Sequence, residues 1–312
     1  MQLSSCLPEI ENTRVQSVFL RNSVLTKIHK YLVKHPSLPS NLEGILRKKW
    51  KGVEINPALV SLSLKLEDKP EPQSVLETLK YSKRPGKPEI LGKDCPKWVN
   101  SILAHHNSSL SPQDSDLRVS PFTGEHEQKV MDAYERAFTQ LEKIWPEAWH
   151  TVTTFIHHLI LVDGTDFIAN SQPHYHGAVM VNPDPSWSDL HYLENLVHEA
   201  AHLELNIRRM KDPYLYNSTD IVFSAIRKSQ RPMLGVLHAA FVLVRVNMLL
   251  SKIHKLKPHQ FPLLAEFRQK YSDLLQSSVE TLEKHGDFTE AGCALFTQMK
   301  NEQESMTSYA RN

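Results

Sequence analysis

Two histidines separated by four positions lie near the middle of the chain, in the segment His198-Glu199-Ala200-Ala201-His202. Side chains at positions i and i+4 of a helix share one face, with Cβ atoms about 5–6 Å apart. Two imidazoles placed in this way can bind one divalent metal ion, and Glu199 can reach a water molecule on that metal. The segment therefore predicts a metal site with His198 and His202 as ligands and Glu199 as a catalytic residue.

The residues around the motif predict a helix from 188 to about 210, which Asp212-Pro213 ends. This helix is strongly apolar on both sides of the motif. Histidine and glutamate are costly to bury in such a segment unless they bind a partner. The apolar context therefore favours a metal site over a solvated helix surface.

A third ligand must come from further along the chain. No glutamate occurs between Glu204 and Glu266, so the two nearest candidates are Asp220 and His238. His238 falls on the apolar face of another predicted helix, where a histidine is more often structural. Because a two-histidine half-site needs a further ligand, we favour His238, and Asp220 remains the alternative. Three imidazoles suit zinc, iron, nickel or copper, whereas Asp220 would complete the two-histidine, one-carboxylate set of many iron oxygenases.

The elements that must position these residues predict a mainly helical α+β fold. Only 10 of the 312 residues are glycine, which favours helices over tight hairpins. β-Branched residues predict a small antiparallel sheet directly before the motif helix, with strands within 151–162 and at 167–169 and 177–181. Apolar periodicity predicts further helices, at 12–35, 125–145, 218–228, 232–254 and 261–285.

The N-terminal part differs in character from the rest of the chain. Prolines are frequent from 35 to 97 and exclude long helices there, although 58–66 alternates as a strand does. We therefore expect a helical and irregular portion at 1–120, able to dock a peptide, and a metal-binding catalytic domain at 121–312.

Composition excludes several classes of protein. Lys and Arg total 36 against 35 Asp and Glu, so the chain lacks the positive charge of a nucleic-acid binder. No apolar run reaches the ~20 residues of a membrane span, and the first residues lack the pattern of a secretory signal. Three widely separated cysteines form no disulfide framework. We expect a cytoplasmic protein without a nucleic-acid or membrane partner.

Five segments, taken in order, resemble a known family. They are 177–182, 196–203, Asp212-Pro213, 224–227 and 231–238, the last reading Arg-Pro-Met-Leu-Gly-Val-Leu-His. This run, within roughly 150–255, resembles the HExxH-motif peptide-modification proteins found beside gene clusters for ribosomally made peptides.

The resemblance implies an iron(II)- and 2-oxoglutarate-dependent peptide β-hydroxylase built on an HExxH helix. It implies the metal-site set His198, Glu199, His202 and His238, and it marks Arg227 and Arg231 as functional candidates. Ala239 stands where we expect a glycine after the distal histidine.

A bound 2-oxoglutarate needs a cation for its distal carboxylate, and arginine offers a planar, bidentate fork. Arg227 and Arg231 could act together if they lie on one unbroken helix. Distance along the helices argues against the other nearby arginines, Arg208, Arg209 and Arg245. The expected partner is a peptide or protein substrate.

Two alternatives from other classes remain open. A zinc metallopeptidase would use Glu199 as base and an oxyanion stabiliser such as Tyr214, Tyr216 or a residue of 174–176. A non-catalytic module would be stabilised by the metal and bind a peptide through 1–120.

Overall fold

The computed structural model describes residues 9–32, 60, 63, 86–124, 126–257 and 259–310. The mainly helical α+β class is confirmed. The helices are α1 (Ile10–Leu32), α2 (Lys97–Ser109), α3 (Glu127–Ile144), α4 (Pro146–Phe155), α5 (Asp189–Arg209), α6 (Met233–Leu256), α7 (Leu264–His285) and α8 (Glu290–Ala310). The strands are β1 (Glu89–Leu91), β2 (Val119–Pro121), β3 (His158–Gly164), β4 (Ala169–Asn170), β5 (Ala178–Val181), β6 (Ile221–Ser224) and β7 (Ser229–Pro232).

Five of the predicted helices occur within a few residues of their expected bounds. They are α1, α3, α5, α6 and α7, although 33–35, the end predicted for α1, lies outside the described residues. Helix α8 follows without having been predicted. Of the strand predicted at 58–66, only Val60 and Ser63 are described, and both have helical backbone; the rest lies outside the described residues.

Two predictions of local structure are wrong. Residues 151–155 belong to helix α4, because Ala148, Val152 and Phe155 recur at helical spacing and are all buried, which outweighs their β propensity. The helix predicted at 218–228 is instead the hairpin β6–β7. Its strands pair from Ile221 opposite Pro232 to Ser224 opposite Ser229, and Lys228 takes a positive φ of 50° in the turn.

The main sheet is mixed where an antiparallel one was predicted. Strand β3 pairs in parallel with β1 and β5 and antiparallel with β2. Residues 165–177, which include β4, return the chain to the end of the sheet where β3 began, so β5 runs in the same direction as β3. Strand β4 pairs antiparallel with β5 on the side opposite β3. Residues 159–162 of β3 form a continuous apolar run and are all buried, as is typical of a strand covered on both faces.

The chain divides into two compact units, each made of separate segments. One contains Met1–Thr13, Asp132–Val152 and Ser186–Asn312, and therefore the HExxH helix α5 and the helices that follow it. The other contains Arg14–Met131 and Thr153–Pro185, including the main sheet. This division differs from the boundary that we expected at residue 120.

Helix α6 is the central helix of the first unit. By length and composition it is the one helix of the described residues that could cross a membrane, but most of its apolar stretch is buried against α5, α7 and α8. Arg245 and Asn247, which interrupt this stretch, are also buried, and Asn247 donates hydrogen bonds to two backbone carbonyls. Burial of this kind is typical of a core helix.

In the second unit, His176 makes folding depend on pH. Burial, together with the neighbouring His157, lowers the pKa of His176 to about 3. Between pH 6.5 and 3 the unfolded chain binds a proton at His176 that the folded chain does not. The free energy of unfolding therefore decreases as the pH is lowered, and at pH 5 it is roughly 2 kcal/mol smaller than at neutral pH. We expect His176→Met to show a smaller loss of unfolding free energy between pH 7 and pH 5, measured in urea. An equal loss in both proteins would contradict this assignment.

Candidate metal centre

The helix that carries the motif begins and ends as its sequence predicts. The backbone N–H of Ser188 donates to His191 Nδ1 over 3.1 Å, which ties the first turn together, and Met210 follows its last residue. Leu193, Leu196 and Leu205 are fully buried. The burial of these residues fixes the rotation of α5 within the unit and therefore the direction in which the motif points.

Helix α6 brings His238 against the second histidine of the motif. The ring centroids of His198 and His202 are 5.0 Å apart, and those of His202 and His238 are 5.7 Å apart with the rings 23° from parallel. The Nδ1 atoms of His202 and His238 are separated by 3.4 Å. Two metal–nitrogen bonds of about 2.1 Å at the tetrahedral angle place their nitrogens about 3.4 Å apart. These two rings therefore have the spacing of adjacent metal ligands.

Asp220, the alternative third ligand, occupies a different environment. It is exposed in the loop before β6, and its carboxylate accepts a hydrogen bond of 3.1 Å from Asn217 Nδ2. Its backbone carbonyl accepts from the N–H of Met233, the first residue of α6. The structure thus places His238, and not Asp220, in contact with His202.

The ligand set is not fully assembled. Within the described residues, no three His, Cys, Asp or Glu side chains have the arrangement of a complete metal site. His202 and His238 supply a pair of nitrogens, while His198 Nδ1 lies 2.9 Å from the Glu194 carboxylate. The donor chemistry of this set suits a metal such as iron or zinc, and His198 would complete it.

Electrostatics keep two of these histidines neutral. Burial lowers the pKa of His202 well below its usual value, with further contributions from His198, His238 and Arg227. Burial and the Arg209 guanidinium lower the pKa of His238 to about 3. Metal ions bind the neutral imidazole, so both rings are in the binding form at neutral pH.

Glu194 is a site residue that sequence reasoning missed. Burial opposes protonation of His198, but attraction by Glu194 and Glu199 is larger in sum and raises its pKa. The Glu194 carboxylate also accepts a hydrogen bond from Tyr271 on α7, whose pKa is raised by burial and by this carboxylate. A carboxylate that holds one ring nitrogen of a histidine and leaves the other for metal is common around metal sites. The signal was present as glutamate four residues before His198.

We expect Glu194→Ala to weaken metal binding by about 10–100-fold, because His198 loses the group that orients it. Glu194→Gln keeps an oxygen that can accept the same hydrogen bond and should fall between wild type and alanine. Competition with a chromogenic chelator measures the affinity. Three equal affinities, with unchanged circular dichroism, would show that Glu194 does not orient the ligand.

Glu199 lies inside the unit. It is 4% exposed, whereas the His198 side chain is 34% exposed. Burial raises the pKa of Tyr134 on α3, and the negative charge of Glu199 adds to this effect. The Tyr134 hydroxyl donates to Asn195 Oδ1 over 3.0 Å, one turn before Glu199 on α5. The structure thus places Glu199 on the buried side of the motif.

The two arginines marked by the resemblance do not share a helix. Arg227 lies in the turn of the β6–β7 hairpin, and its charge opposes protonation of both His198, whose pKa is nevertheless raised, and His202, whose pKa is lowered. Arg231 is on β7 opposite Val222 and is exposed. The structure therefore relates Arg227 to the motif histidines electrostatically. The helix that would have placed Arg227 and Arg231 on one face does not form.

Arg209 is the cation in contact with the site. Its Nη1 atom donates to His238 Nε2 over 3.4 Å, and burial lowers its pKa. It makes no ion pair with a carboxylate among the residues that the structure describes. Arg209 lies almost two turns beyond His202 on α5, so its distance along the helix predicts no role at the site. The structure differs because the histidine that Arg209 contacts, His238, comes from α6.

Arg208 and Arg245 belong to a buried ion network. Arg208 Nε donates to Glu204 Oε1 over 3.1 Å, and Arg245 Nη2 donates to Glu204 Oε2 over 2.9 Å. Both guanidinium groups also lie over the Phe241 ring, 5.3 and 5.2 Å from its centroid. All four residues are at most 2% exposed. The Glu204–Arg245 pair of this network ties α5 to α6.

The residues considered as oxyanion stabilisers for a zinc peptidase lie in different environments. Tyr214 is buried and hydrogen-bonded to Arg208, with its pKa raised by burial to about 12, and Tyr216 is 72% exposed. Residues 174–176 belong to the other unit. Strand β5, which precedes the motif helix, is an inner strand of its sheet, paired with β3 on one side and β4 on the other.

Comparison with known proteins adds no family assignment: no protein-family model and no curated protein matches the chain.

Proposed function

We propose that the protein is an iron(II)- and 2-oxoglutarate-dependent oxygenase that hydroxylates the Cβ of a residue in a peptide. The observation that carries this proposal is Arg209, a half-buried cation without a carboxylate partner among the described residues, in contact with His238. A zinc hydrolase needs no such cation, whereas 2-oxoglutarate carries a distal carboxylate that must be paired.

His198, His202 and His238 hold the iron in this proposal. Because Arg209 donates to Nε2 of His238, the neutral ring carries its hydrogen on Nδ1 and donates it to His202. Ligation through both Nδ1 atoms requires the His238 hydrogen to move from Nδ1 to Nε2, and no net proton is released because each neutral ring keeps one hydrogen. Bound iron(II), with 2-oxoglutarate and O₂, supplies the oxidant that replaces a substrate hydrogen by hydroxyl.

Arg209 changes its partner when the ligands bind. A His238 ring ligated through Nδ1 keeps its hydrogen on Nε2, which then cannot accept from Arg209. The guanidinium needs another acceptor, and the distal carboxylate of 2-oxoglutarate supplies one. Arg227, whose charge already acts on His198 and His202, adds a second cation, and Arg231 remains a candidate from β7.

The two glutamates have different roles. Glu194 orients His198 through its Nδ1 atom. Glu199 lies on the buried side of α5, where it orients a metal ligand directly or through a hydrogen bond. In a peptidase it would instead be the catalytic base. The partly exposed His198 leaves an approach for a peptide, for which residues 1–120 are the proposed docking portion. A cytoplasmic location and no nucleic-acid or membrane partner complete the proposal.

Anaerobic reconstitution tests the proposal directly. The protein is loaded with iron(II) and titrated with 2-oxoglutarate, and a metal-to-ligand charge-transfer band is expected, followed by succinate formation when O₂ is admitted. Zinc-loaded protein is the matched control and should give neither. If iron-loaded protein gives neither signal while zinc-loaded protein cleaves peptides, the metallopeptidase alternative takes the place of this proposal.

Arg209→Met and Arg227→Met are expected to raise the Kd of 2-oxoglutarate at least about tenfold, as loss of a charged hydrogen-bond partner does. Iron affinity without 2-oxoglutarate should not fall in Arg209→Met, because a positive charge next to the metal has been removed. Arg231→Met, on the exposed strand, should have the smallest effect of the three. The charge-transfer band measures 2-oxoglutarate binding, and a chelator competition measures iron. Wild-type Kd values in all three variants would rule out these cations.

A further inference from the structure

A ligand-sized cavity opens in the helical unit, away from the histidines. Its volume is about 510 Å³, within the range of about 300–1,000 Å³ that is typical of small-molecule sites. Residues from three helices line it: Met248 and Lys252 on α6, Arg268 on α7, and Glu302 and Met306 on α8. Met248 is ten residues from His238 on the same helix, about 15 Å along its axis. The cavity is therefore separate from the proposed metal centre.

The charge of this cavity is unbalanced. Lys252, Lys255 and Arg268 are cations, and among the residues that the structure describes Glu302 is the one carboxylate that lines it. Arg268 is half-buried and makes no hydrogen bond or ion pair with the described residues. Lys252 Nζ lies over the Trp145 ring, 5.5 Å from its centroid. Arg268 and Lys252 are therefore cationic groups of the cavity that have no carboxylate partner among the described residues.

The position of Arg268 is not explained by helix stability. Cations are favoured in the last turn of a helix, which accounts for His254 and Lys255 at the end of α6. Arg268 is the fifth residue of α7, near the end that carries partial positive charge. A half-buried cation beside that end gains most from an anion bound next to it.

Two methionines, two serines and His254 complete the lining. Met248 and Met306 contribute flexible thioether side chains, which adapt to ligands of different shape. We propose that this cavity binds a small amphipathic anion, whose carboxylate or phosphate head pairs with Arg268 and Lys252 and whose short apolar tail contacts the methionines. This site is independent of the oxygenase proposal.

Calorimetric titration of the full chain with decanoate and with decyl phosphate tests the site and distinguishes the two heads. We expect saturable binding of at least one of them. Arg268→Gln should weaken that binding at least about tenfold, and Lys252→Gln should weaken it as well. Lys284→Gln, in the last turn of the same helix α7 and outside the cavity, is the matched control and should bind as wild type does. Thermal unfolding of each variant checks that it is folded.

Two further probes separate head from tail. Decanol lacks the charge and acetate lacks the tail, so both should bind much more weakly than the amphiphiles. Equal binding of decanol, or equal affinity in wild type and Arg268→Gln, would overturn the proposal. So would binding of a hexaglutamate peptide when neither amphiphile binds, since that result would assign the cavity to an acidic peptide.

Discussion

Glu204→Gln is expected to lower the free energy of unfolding by about 3–5 kcal/mol, one of the largest effects available in this chain. The carboxylate of Glu204 accepts hydrogen bonds from both Arg208 and Arg245 and is completely buried. Neutralising it removes the counter-charge that the two buried guanidinium groups share, which costs far more than the loss of one hydrogen bond. Urea unfolding followed by circular dichroism measures the change.

An exposed ion pair provides the control for this variant. Glu283 on α7 pairs with Lys300 on α8 at the surface. Glu283→Gln makes the same chemical change in water, where such pairs contribute little, so unfolding should be nearly unaffected. A similar unfolding free energy for Glu204→Gln and Glu283→Gln would show that the buried network does not hold α5 to α6.

His238→Ala is expected to abolish tight metal binding, whereas Asp220→Ala should retain it. His238 is the ring in contact with His202, and Asp220 is exposed and bonded to Asn217. Loss of a hydrogen bond to a metal ligand lowers metal affinity about 10–100-fold, and removal of the ligand itself should lower it further. Elemental analysis after gel filtration counts the bound metal.

His202→Ala is the positive control in the same series, because it removes a ligand predicted from the motif alone. Circular dichroism should show that all three variants keep their helices. Full metal content in His238→Ala, together with loss of metal in Asp220→Ala, would reverse the assignment of the third ligand. Full content in His202→Ala would remove the metal site altogether.

Local sequence was sufficient for the helix that carries the motif. Ser188 at its start, Pro213 after its end and the apolar spacing between them are all signals within one segment. The spacing of His198 and His202 follows from the helix itself, so their proximity needs no tertiary information. Local sequence was not sufficient at 221–232. A pattern of apolar residues as short as this one fits either a helix or a hairpin, and the pairing of β6 with β7 determines that the segment is a hairpin.

The sequence by itself determined the helical class, the bounds of α5 and the two histidines on its face. Only the tertiary structure decided that His238 meets His202, that Arg209 rather than Arg231 contacts His238, and that β3 and β5 run parallel. These relations join residues that are far apart along the chain. They depend on how α5 packs against α6, which the sum of many buried contacts and the Glu204–Arg245 ion pair determine, and no single spacing encodes that sum.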